Sequence, residues 1–71
     1  MMMSNADAEL AVRRELEKLQ LKKPMTPAEF FVFSQDMYLK LEFRSKGDRL
    51  SDVRIWTERW LSTRFPHASY Q

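Results

Sequence analysis

The chain has 71 residues, room for one small domain, and carries 12 Lys and Arg against 10 Asp and Glu for a net charge of +2. It has no cysteine, which excludes disulfides and thiolate metal sites, and so balanced a charge does not announce a nucleic-acid binder. Five Phe, two Trp and two Tyr against a single Gly imply a small core built from aromatic rings.

The stretch Met1 to Asp7 is short and, beyond its three methionines, polar, with no long apolar run behind it. No window approaches the ~20 apolar residues of a membrane span. A cytoplasmic protein without membrane association is therefore expected, folded as one domain over 1–71 with flexible ends at 1–4 and 66–71. The lack of cysteine fits a reducing compartment.

Pro24 and Pro27 punctuate the first break, Gly47 sits in the second, and Pro66 closes the third segment. Between these marks the apolar residues recur with the helical period and never with the period of two that a strand needs, so the expected fold is an all-α domain of three helices, about 5–21, 26–44 and 51–64, with an irregular C-terminal tail.

The first segment is rich in strong helix formers and has no Gly or Pro. Ser4 is placed to cap it. Ala8, Val12, Leu16 and Leu19 form one narrow apolar stripe, and Glu9 and Arg13 are spaced for an i,i+4 ion pair. So narrow a stripe predicts a helix that packs weakly on the rest, with a coiled-coil seam the less favoured reading because it lasts barely two heptads.

The second segment opens with Thr26-Pro27-Ala28-Glu29, the strongest local signal in the chain. The Thr26 hydroxyl can accept from the Glu29 amide, Glu29 can reach back to the Thr26 N–H, and Pro27 takes the first helical position, where its missing donor costs nothing. Met25 and Phe30 are spaced for a hydrophobic staple. Phe30, Phe33, Met37 and Leu41 share the expected core face, with Phe31 and Tyr38 on its shoulder. Val32, Leu39 and Phe43 fall on the opposite side. A helix that is apolar on two faces is either sandwiched between its neighbours or turned toward another molecule.

In the third segment Ser51 is the expected N-cap, with Asp52 favourably near the helix N-terminus. Leu50, Val53, Trp56, Trp60 and Leu61 make the buried face, and Ile55 points elsewhere. Trp56 and Trp60 beside Arg59 and Arg64 are also a combination that binds bases or protein partners; two tryptophans one turn apart are read first as core. Phe65 and Tyr70 border the tail.

The charges are unevenly spread: five basic and four acidic groups over 1–23, one and three over 24–43, six and three over 44–71. Gly47, followed six residues later by Val53 and nine later by Trp56, matches the spacing of a helix-turn-helix signature. The stretch Val53-Arg54-Ile55-Trp56, with Phe65-Pro66 downstream, resembles the recognition segment of excisionase-type winged-helix proteins. That resemblance implies a DNA-reading helix; the candidate nucleic-acid contacts in this basic third of the chain are Arg44, Lys46, Arg49, Arg54 and Arg59. Phe43 stands where the signature prefers a small residue and Asp48 where it prefers an apolar one, and Asp52 and Glu58 would face phosphates that repel them.

Chemistry is sparse. His67 is the one histidine and has no second ligand near it in the sequence. No nucleophile-and-base pair, Gly-rich phosphate loop or zinc spacing occurs, and Glu15 and Glu17, two apart on a helix, face different ways. No catalytic residue, metal, cofactor or small-molecule substrate is expected. The expected function is a non-enzymatic protein-protein interaction module, a homodimer or an adaptor or inhibitor of a larger protein, of the kind found among accessory proteins of phages and mobile elements. Val32, Leu39, Phe43 and Ile55 are its candidate interface. A helix-turn-helix-like DNA-binding regulator is the alternative.

Overall fold

A computed structural model of the protein, described over residues 3–67, forms three helices: α1 (Asn5–Lys18), α2 (Pro27–Lys40) and α3 (Arg49–Arg64). The all-α class read from periodicity is what the structure shows. No strand occurs among the described residues, and the nearest approach to one is an isolated parallel bridge between Met3 and Phe43.

α1 is capped as its sequence dictates, the Ser4 hydroxyl accepting from the Asp7 amide at 3.1 Å. Its stripe is narrow but not weakly packed: Ala8, Val12 and Leu16 are all completely buried. The helix stops at Lys18 instead of reaching Leu21. Gln20 takes a left-handed φ of 50°, and the Leu19 and Gln20 amides close onto the carbonyls of Leu16 and Glu17 at 3.2 Å each. Leu19 thereby leaves the stripe and is exposed.

At the start of α2 the whole capping box is present. The Thr26 hydroxyl accepts from the Glu29 amide at 3.2 Å, and the Glu29 carboxylate accepts from the Thr26 amide at 2.9 Å. Met25 and Phe30 flank the cap and are both buried, as a staple requires. Phe30, Ser34 and Met37 form the buried row, Phe33 packs at its margin, and Phe31, expected on the shoulder of the core, stands out in solvent.

α2 ends at Lys40, four residues before the expected Arg44. Had the helix continued, Phe43 would have shared the outward face of Val32 and Leu39. Leu41 is instead extended (φ −101°, ψ 126°), which turns Phe43 inward until it is 1% exposed and its ring lies 5.2 Å from that of Trp56. Burying a phenylalanine contributes on the order of 2–3 kcal/mol, enough to outweigh a last helical turn. The backbone freed by the stop is satisfied from elsewhere in the chain: the Met3 amide donates to the Glu42 carbonyl at 2.9 Å, and the Arg49 guanidinium donates to the Leu41 carbonyl at 2.9 Å. Met3, expected in a flexible end, is thus held.

α3 begins at Arg49, with Asp48 as its cap in place of Ser51. The Asp48 carboxylate accepts from the Leu50 amide at 3.0 Å, and its charge suits the helix N-terminus, so the acidic residue wins over the Ser51 hydroxyl three residues later. Val53, Thr57 and Leu61 make the fully buried row. Trp56 and Trp60, expected in it, are only partly buried at its edge, as is Leu50. The buried Ser34 and Thr57 hydroxyls each donate to the carbonyl four residues back, at 2.8 and 2.7 Å, so neither leaves a polar orphan in the core.

The central helix is α3, which packs against both α1 and α2, while those two touch each other little. α2 is therefore not the sandwiched element, and its second face is left uncovered by the other described residues. Phe65 packs against the core, whereas Tyr70 lies outside the described residues.

Candidate interaction surfaces

On α2 the side opposite Phe30 and Met37 carries Phe31, Val32 and Leu39, exposed by 62%, 64% and 76%. Together with Ala28 and Gln35, Val32 and Leu39 fall at spacings of four, three and four along the helix, the interval at which one helix lays a seam against another. Ala28 and Gln35 were not singled out from the sequence; the spacing that reveals them stands out only once Phe43 is removed from this face. Asp36 and Lys40 flank the stripe and pair at 3.0 Å, a bond that holds the Lys40 ammonium above its ordinary value. Beside Val32 the surface continues into an open groove of about 550 Å³, walled by Leu19, Leu21, Met25 and Phe33 from the end of α1, the connection and α2.

Of the four residues expected at a partner interface, the structure leaves Val32 and Leu39 together on α2, puts Ile55 exposed on α3, and buries Phe43. Phe43 therefore belongs to the core and not to the exposed face.

Of the five basic residues assigned to nucleic acid, Arg44, Lys46, Arg54 and Arg59 are exposed. Arg49 is engaged internally: its guanidinium bonds the Leu41 carbonyl and lies 4.6 Å from the centre of the Tyr38 ring. Residues 41–48 separate α2 from α3, a longer connection than the three- to four-residue turn of a helix-turn-helix, and Phe43 within it is core.

A second concavity, about 250 Å³, lies between α1 and α3. Trp56 and Trp60 line it together with Arg13, Arg59 and Arg64, and Glu9 is its one acidic group. Arg64 sits 5.2 Å from the centre of the Trp60 ring. The Glu9–Arg13 ion pair expected from their spacing does not form; among the described residues the ion pairs are Lys18–Glu15 and Lys40–Asp36.

Among the described residues no three His, Cys, Asp or Glu side chains gather as metal ligands, and no helix is long and apolar enough to cross a membrane. His67 is exposed in the turn after α3. No family model, curated protein or solved structure matches the chain.

Proposed function

We propose that the protein is a non-enzymatic interaction module that uses the outward face of α2 to pack against a helix, from a second copy of the chain or from a larger protein. The observation that carries this reading is the exposure of Phe31, Val32 and Leu39 on a single helix whose other face already supplies the core. Large apolar side chains scattered singly over a surface need no explanation, but three on one short helix, continuous with an apolar groove, make a patch of the kind that marks protein contacts. The seam spacing of Ala28, Val32, Gln35 and Leu39 favours a helix as the partner element, with Gln35 as the polar position that fixes register.

Leu39→Asp tests the reading. Since Leu39 is 76% exposed, the variant should keep its helicity and cooperative melting while losing self-association or partner capture, as followed by analytical ultracentrifugation and a thermal melt. An unfolded variant would return Leu39 to the core, and a folded one that associates as the wild type does would remove α2 from the interface.

A further inference from the structure

The cleft between α1 and α3 is not explained by the core. Trp56 packs against Phe43 on one side, yet both tryptophans keep part of their surface in the cleft, whose lining also includes three arginines. Among the described residues none of those arginines belongs to an ion pair, although acidic groups are almost as numerous as basic ones in the chain. Arg64 is held at the face of Trp60, so its position is set by the ring while its donors remain available. Arginine and tryptophan are also the residue types most enriched where proteins concentrate binding energy.

We propose that this cleft is a second binding site, independent of the α2 face, that takes an acidic peptide segment: a carboxylate between the arginines and a neighbouring apolar side chain against Trp56 and Trp60. Arg13 from α1 and Arg59 from α3 line the cleft and offer the forked donors that suit a carboxylate. The space, about 250 Å³, suits one or two side chains. A nucleic-acid strand fits less well. Single strands are tracked by a groove that stays basic over several nucleotides, whereas this cleft holds only one or two side chains and offers no extended basic track.

Trp56 and Trp60 are the chain's two tryptophans, so intrinsic fluorescence reads the cleft directly. The full chain would be titrated with an acetylated peptide alternating Glu and Leu, with an alternating Lys and Leu peptide of equal length, and with a dT oligonucleotide. The Glu-Leu peptide should shift the emission saturably and the Lys-Leu peptide should not. Arg13→Ala and Arg59→Ala, both at exposed positions, should each weaken binding about tenfold with unchanged circular dichroism, the scale of one lost charge-assisted bond. Leu39→Asp should bind as the wild type does, which separates failure here from failure of the α2 reading. No saturable shift with the Glu-Leu peptide, or affinity indifferent to both arginines, would overturn the site. Tighter binding of the oligonucleotide than of the peptide would overturn the ligand class.

Discussion

The two connections of this fold, residues 19–26 and 41–48, are equal in length and opposite in construction. The first turns through a left-handed Gln20, leaves Leu19 exposed and Leu21 half-buried along an open groove, and contributes one fully core residue, Met25, only where it meets the next helix. The second leaves α2 through an extended Leu41, buries Leu41 and Phe43, and is tied from three directions: by the Met3 amide, by Arg49, and by Ser45, whose hydroxyl donates to the Asp52 carboxylate and accepts from the Gly47 amide. A connection that carries core residues inward takes its backbone away from water and needs internal partners for it. One that stays on the surface leaves that work to solvent and keeps its apolar side chains available to other molecules.

The largest way to break this contrast is Phe43→Ala. Removing a fully buried ring should cost about 3–5 kcal/mol, most of the stability of so small a domain, and leave the variant largely unfolded at room temperature in a urea or thermal titration. A variant that melts close to the wild type would show that the second connection is as dispensable to the core as the first.

That contrast also explains which parts of the molecule were legible in the sequence. Helix starts were local: Ser4 and the Thr26–Glu29 box need only residues within three positions of each other, and both form. The Asp48 cap is equally local, within two residues of the Leu50 amide, but the sequence offers Ser51 as a competing cap. Helix ends were not local. Leu41-Glu42-Phe43-Arg44 contains no Gly or Pro, and what stops α2 there is a bond from Met3, a bond from Arg49 and the pull of Trp56 on Phe43, partners far along the chain. The same holds for the sites. Val32, Leu39 and Ile55 point outward as a helical count places them, whereas Phe43 moved to the core because the count ceased to apply. Trp56 and Trp60 sit on the margin of the α3 face, and whether a marginal ring is covered depends on how far α1 reaches across it.

A smaller effect sharpens the comparison at the junction of the first connection with α2. Thr26→Ala should cost about 1 kcal/mol, the usual loss for an N-cap hydroxyl, measurable by urea denaturation. The Thr26 backbone amide, with help from its hydroxyl, holds the Glu29 carboxyl below its ordinary value. A carboxyl with a lowered folded-state pKa adds stability that is fully present above the ordinary glutamate range and is lost as pH falls through the folded value. Because the backbone amide survives in Thr26→Ala, that variant should keep part of this acid dependence, while Glu29→Gln should lack it. Equal stability of Thr26→Ala and wild type at neutral pH would mean that α2 does not rely on its cap.

The smallest effect has the opposite sign, and it belongs to the first connection alone. Gln20 adopts φ 50° at the end of α1, in the place where helices commonly carry glycine, and among the described residues no side-chain hydrogen bond of Gln20 compensates. An L-residue in this region carries roughly 1–2 kcal/mol of strain, while glycine adds about 0.4–1 kcal/mol of unfolded-chain entropy, so Gln20→Gly should stabilise the fold by roughly 0.5 kcal/mol. No such gain is open to the second connection, where no residue has positive φ and the side chains serve as core. The measurement is the urea midpoint at constant slope. A midpoint that falls would show that the first connection is fixed by contacts of the glutamine side chain and not by the backbone conformation that ends α1.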